Sequence, residues 1–337
     1  MYKFLFILLL LAVTVPPVDA AKKRETMTIT VAVSPDSAFV STLKLSEKDG
    51  LPVRLLRCRR VPTTQTPELI RATIAIGKQT FVFDTMSHLF ETKRHRLVLL
   101  SPPLTNQLTK WVERAEQAHF GRLLHWEQVR KEFRRMSYAT VIDLETGEQF
   151  RVQRRAGSRH ADVQPLTSTD TKTMKRIYHG KWSWKRRAIL VRVNGSYYAA
   201  SMHGMPHGAG AIAGNQFPGH FCIHFYGSST HLRKEPDPSH SLMIVKASGK
   251  LPETVMNAAP QRLVDYFLTS LNENDPTSLK MIASDFALPQ VLSRVTSVRR
   301  VIREIPAENV HPLTADIRVR VDFLHSELGE QKSVLGV

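Results

Sequence analysis

The chain has 337 residues, 42% of them hydrophobic and 23% charged, with a formal net charge of +17 and an isoelectric point near 10.1. That composition supplies enough apolar surface for two or three packed domains and excludes a disordered or fibrous chain. The only cysteines are Cys58 and Cys222, so one bridge at most can form and a disulfide framework is excluded.

Residues 1–20 open with Lys3, run through an apolar core from Phe4 to Val13 and end in Val18-Asp19-Ala20. This is the pattern of a secretory signal peptide, and its apolar run is short for a membrane span. The expected location is therefore secreted, extracytoplasmic or cell-wall associated. There a basic chain meets peptidoglycan and anionic wall polymers, with peripheral contact to an anionic membrane surface, and not nucleic acid. The basic clusters at Arg57/Arg59/Arg60, Arg130/Lys131/Arg134/Arg135 and Lys185/Arg186/Arg187 read as solvated faces.

Residues 21–100 predict a β-rich accessory domain. Met27–Val33 alternates, Leu51–Val61 is apolar and basic by turns and reads as a strand carrying Cys58, and Ala72–Phe83 reads as a hairpin. Residues 101–136 predict a helical linker, with Leu108, Trp111, Val112 and Ala115 on one face and Trp126, Val129 and Phe133 marking a second helix. Both tryptophans read as core anchors.

Residues 137–249 predict a β domain. Ala139–Leu144 turns at Glu145-Thr146-Gly147 and returns from Gln149. Ile189–Val193 and Ser196–Ala200 flank Asn194-Gly195, a type I′ hairpin signal. A helix is expected over Thr167–Tyr178. Residues 250–337 predict a small α+β domain, with an amphipathic helix over Ala259–Leu271 and strands over Ser297–Ile305 and Ala315–Phe323. The fold class is multidomain and mainly β.

The chemistry concentrates between Ser201 and Phe225, a glycine-rich stretch holding His203, His207, His220, Cys222 and His224. Nucleophilic thiol chemistry needs a cysteine, an imidazole that takes its proton and N–H donors for an oxyanion, and this stretch supplies all three. His207-Gly208, followed after a loop by Cys222 within Gly219-His-Phe-Cys-Ile-His, resembles the active-site segment of L,D-transpeptidases. The wider block resembles an uncharacterised group in wall-associated Firmicute proteins. It includes Ala139-Thr-Val-Ile-Asp-Leu-Glu-Thr-Gly, Arg159-His-Ala-Asp-Val-Gln-Pro, Met174-Lys-Arg-Ile-Tyr-His-Gly-Lys-Trp-Ser-Trp and Ala199-Ala-Ser-Met-His-Gly-Met-Pro-His-Gly.

This resemblance implies a sandwich-like β domain in which Cys222 attacks the carbonyl of the diamino acid in a peptidoglycan stem peptide. A terminal D-alanine leaves, and an amine of a neighbouring stem resolves the acyl-enzyme. His207 is then the base, and the backbone N–H groups of Phe221 and Cys222 form the oxyanion hole. The chain departs from the family at Phe221, where the family has Gly, at Gly219, where it has Ser or Thr, and at His224, where it has Arg.

His203 is the rival base. His207 is preferred because Gly208-Ala209-Gly210 permits the turn that faces its imidazole to the thiol. An activated Cys222 would hold more thiolate than a free cysteine. His160 and Asp162 are candidates for orienting an imidazole or contacting substrate. Trp184, Arg186, His220 and His224 complete the substrate-binding set. No cofactor is expected. Two other functions compete. On a strand, His220, Cys222 and His224 share one face and suit zinc, which would make a metal-dependent peptidoglycan hydrolase. The domain also suits a non-catalytic wall binder.

Overall fold

The computed structural model describes residues 26–67, 69–230, 234–283, 294–300, 308–311, 314–325 and 329–336. The expected signal segment over 1–20 lies outside them. The protein is mainly β.

The N-terminal module is a seven-stranded antiparallel sheet ordered β2-β1-β4-β5-β6-β7-β3. Its strands are β1 Met27–Ala32, β2 Val40–Leu45, β3 Arg60–Pro62, β4 Ile70–Ile76, β5 Gln79–Asp84, β6 Leu89–Glu91 and β7 Arg96–Val98. Alternation sets the faces, so Met27, Ile29 and Val31 are buried while their neighbours are half-buried.

The apolar and basic text after Leu51 forms a helix, α1 Leu51–Arg57, and not the expected strand. Gly50 at φ 65 turns the chain into it, a proline occupies the first turn, and Leu51 and Leu55 bury one helical face. Cys58 ends this helix beside the N-terminal core, and it and Cys222 are both free thiols.

Residues 101–136 divide between two cores and do not form a free linker. Helix α2 (Pro102–His119) lays Leu104, Leu108, Val112 and Ala115 on the N-terminal sheet. Helix α3 (Trp126–Glu132) sends Trp126 and Val129 into the core of the next domain, where Phe133 joins them. Trp126 is the anchor the sequence predicts. It stacks on Phe225 at 5.5 Å and donates its indole N–H to the Ser158 carbonyl at 2.7 Å.

The central domain contains β8 Tyr138–Asp143, β9 Gln149–Ala156, β10 Ala161–Pro165, β11 Arg186–Val193, β12 Ser196–His203 and β13 Phe221–His224. They close into an antiparallel barrel ordered β10-β13-β12-β11-β8-β9. A sandwich-like domain was implied, but β10 pairs with both β9 and β13 and closes the sheet. The two predicted hairpins are present, and Asn194 and Gly195 take φ 49 and 81, as a type I′ turn requires. Helix α4 (Ser168–Ile177) starts from Thr167 through a capping box with Asp170.

Alternation sorts the barrel strands into two faces. Ala161, Val163, Ala200, Met202, Phe221, Ile223 and Phe225 fill the interior. Asp162 and Gln164 of β10, Cys222 and His224 of β13, and Ser201 and His203 of β12 therefore face outward on three adjacent strands. Helix α5 (Pro238–Ala247) packs across β11 and β12 on that outer side.

The C-terminal module comprises α6 Leu251–Met256, α7 Pro260–Glu273, α8 Pro276–Ile282, β14 Val295–Arg300, β15 Glu308–His311, β16 Thr314–Asp316, β17 Arg318–His325 and β18 Gly329–Gly336. Val264, Leu268 and Leu271 of α7 meet Val319 and Val321 of β17 in an α+β core. The Lys185/Arg186/Arg187 cluster is engaged within the protein and is not a solvated face. Lys185 donates to the Thr296 carbonyl at 2.7 Å, Arg186 pairs with Asp237 at 3.0 Å, and Arg187 pairs with buried Asp143 at 2.7 Å. Arg130, Lys131, Arg134 and Arg135 are exposed.

Candidate active site

Cys222 is buried on the outer barrel face, directly opposite Asp162 in the pairing of β13 with β10. Its Sγ lies 3.4 Å from Nε2 of His207 and 3.7 Å from Oδ1 of Asp162. His207 reaches the thiol because the loop after β12 folds back on itself. His207 and His220 form an isolated antiparallel bridge whose two backbone hydrogen bonds are both 2.9 Å. Gly219, at φ 117, is required there, since a Cβ would lie 2.4 Å from the His207 carbonyl oxygen. Gln164 secures the loop by donating to the Gly219 carbonyl and accepting from Ala211 N–H at 3.0 Å. Asn215 secures it again, donating to the Pro165 carbonyl at 2.8 Å.

The backbone of Met205 assigns the two candidate bases. Its carbonyl accepts from Nδ1 of His207 at 3.1 Å, which leaves the Nε2 lone pair of His207 facing the thiol. Its N–H donates to Nδ1 of His203 at 3.3 Å, so the neutral His203 ring carries its proton on Nε2. His207 is thus the acceptor and His203 a donor. Burial holds His203 well below the ordinary imidazole range, with His207 adding to the effect. His207 is also pushed down, chiefly by burial, while the Met205 carbonyl opposes the shift.

The thiol is pushed up, first by burial and then by the Asp162 carboxylate. The expectation of an enriched thiolate is therefore corrected. At neutral pH the pair rests as thiol and imidazole, and proton transfer must accompany attack.

The remaining predicted residues fall into three positions. Trp184 is half exposed and roofs the site, its ring 4.7 Å from that of His203 and 5.4 Å from that of His207. Arg186 holds this roof from behind, donating to the Trp184 carbonyl at 2.8 Å while paired with Asp237. His220 lies at the rim, with Nε2 4.0 Å from Asp162 and Nδ1 3.2 Å from the Ala209 carbonyl.

His160 and His224, expected to meet substrate, are buried beneath the thiol. The His224 ring is sandwiched between those of His160 at 4.4 Å and His240 at 3.8 Å. His240 in turn hydrogen-bonds the Ser201 hydroxyl at 2.9 Å. Phe221 and Cys222, the expected oxyanion donors, pair with Val163 and Asp162 in the ladder of β10 and β13.

Among the described residues, three sets of metal-capable side chains share Cys222, each with its ligand atoms within 4.8 Å of one another. They are His160 with His224, His203 with His207, and Asp162 with His220. None of these three joins His220 to His224, the pair that strand alternation placed on one face.

Sequence reasoning did not find Met205, Gln164 or His240. The first acts through its backbone, the second is marked only by its outward register, and the third comes from a helix distant in sequence. Comparison of the chain with protein-family models, with curated proteins and with solved structures gave no match.

Proposed function

We propose that this protein is a cysteine acyltransferase of the L,D-transpeptidase type that acts on peptidoglycan stem peptides. The observation supporting it most is the 3.4 Å contact between Sγ of Cys222 and the lone pair of His207 Nε2, with the far nitrogen held by Met205. This is the arrangement of a nucleophile and its base oriented by a third group. Cys222 attacks an amide carbonyl as its proton passes to His207, and His207 then protonates the departing amine. His203, a neutral donor with a ring nitrogen within 4.8 Å of the sulfur, supplies a hydrogen bond to the developing oxyanion. Trp184 is the exposed platform against which a sugar or peptide packs. The chain is secreted and held at the anionic wall by its +17 charge, with exposed Arg130, Lys131, Arg134 and Arg135 among the contacts.

Isolated walls incubated with the wild-type protein should yield cross-linked muropeptide dimers formed with loss of terminal D-alanine, and Cys222→Ala should yield none. Identical muropeptide profiles would contradict the reading. The three ligand sets around Cys222 support a second reading, a zinc-dependent peptidoglycan hydrolase. In that case imidazoles and thiolate hold the ion and the thiol never becomes covalently modified.

A further inference from the structure

Among the described residues, two side chains stand at hydrogen-bond distance from the sulfur, and only one has a role in the first half of an acyl transfer. His207 Nε2 stands 3.4 Å from Sγ, and Asp162 Oδ1 stands 3.7 Å from it, contributed by a different strand. Asp162 is not placed to orient His207, whose far nitrogen is held by the Met205 carbonyl. It is instead backed by His160, whose Nε2 lies 3.1 Å from Oδ1; since Nδ1 donates to the Ser229 carbonyl at 2.9 Å, the ring donates to Asp162 in its imidazolium form. A carboxylate against a nucleophilic sulfur hinders thiolate formation, so it opposes the acylation step. Its position becomes useful once the sulfur is acylated and uncharged.

We propose that Asp162 is the catalytic base of deacylation, with His160 as its positioning residue, so that the two halves of the reaction use different bases. This rests on the acyl-transfer reading above. In the first half, the thiol proton passes to His207, sulfur bonds to the acyl carbon, and the leaving group departs with that proton. In the second half, water or a primary amine attacks the thioester and gives its proton to Asp162. The carbon–sulfur bond breaks, sulfur leaves with the electron pair, and the proton on Asp162 crosses the short contact to restore the thiol.

The test uses p-nitrophenyl acetate, whose burst of p-nitrophenolate reports acylation and whose steady state reports deacylation. Asp162→Asn removes a charge that disfavours the thiolate, so its burst should be at least as fast as that of wild type. Its steady state should slow by about 10²-fold or more. These opposite changes separate a catalytic role from a structural one. His160→Gln should slow the same step less, and hydroxylamine, which needs little help from a base, should restore turnover to Asp162→Asn. A steady state within about twofold of wild type, or equal slowing of both phases, would overturn the inference while leaving acyl transfer intact. No burst from wild type would overturn both.

Discussion

His207→Ala should lose acylation of Cys222 by about 10²- to 10⁴-fold, the usual contribution of a positioned general base. The shape of its pH profile should change as well. In wild type the rate should rise as His207 loses its proton, and burial places that step below the ordinary imidazole range. The rate should then stay level across neutral pH. Without His207 the only nucleophile is spontaneous thiolate, which burial and Asp162 make scarce. The rate of the variant should therefore climb steadily from about pH 6 to about pH 9, and added imidazole should restore part of the lost rate. His203→Ala should instead keep the wild-type profile at a lower height, because the Nδ1 lone pair of His203 is taken by the Met205 N–H and its other ring nitrogen carries the proton, so it offers the thiol no base. Burst kinetics on both variants check this, and a level profile in His207→Ala would contradict the assignment of the base.

Lys246→Met should destabilise the fold by about 3–5 kcal/mol, the range for removing one partner of a buried ion pair. Lys246 is buried on α5, 2.6 Å from Glu145 in the β8–β9 turn and 2.8 Å from Asp275 at the cap of α8. Glu145 also accepts from Ser34 at 3.0 Å, so this one ammonium ties the N-terminal module, the barrel and the C-terminal module together.

The sign of the pH dependence follows from the two shifts. Lys246 is raised in the fold by its two carboxylates despite burial, so its contribution is complete below about pH 10.4 and lost as pH rises through the folded value. Asp275 is lowered by Lys246 despite burial, so its contribution is present above about pH 3.9 and lost as pH falls through the folded value. In Lys246→Met the buried Asp275 has no cation and its shift reverses, so the variant should lose stability from about pH 4 upward. Denaturant unfolding across pH checks this, and adding Asp275→Asn and Glu145→Gln should recover much of the loss.

Much of the candidate site was legible because strand alternation is local. Cys222, His207 and His203 lie in one glycine-rich stretch, and the outward face of β13 follows from its period of two. The hairpins at Gly147 and Asn194-Gly195 were legible because their turns require particular residues. The short strand β10 carries no such signal, and its pairing with β13, which sets Asp162 against the sulfur, joins segments distant in sequence. Helix α1 was misread because Leu51–Val61 alternates roughly as a strand does, while the burial of Leu51 and Leu55 depends on a sheet built from other residues. His240 was not legible as part of the site because only the packing of α5 on β12 brings it against His224.

The central claim is that Cys222 forms a covalent acyl bond. The most direct measurement is intact-mass and peptide-mapping spectrometry after treatment with a carbapenem, alongside metal analysis of the protein purified without added metal. The expected result is a single adduct on the Cys222 peptide, absent from Cys222→Ala, slow to form in His207→Ala and unaffected by chelators. Stoichiometric zinc whose removal ends activity, with Cys222 unmodified throughout, would contradict it.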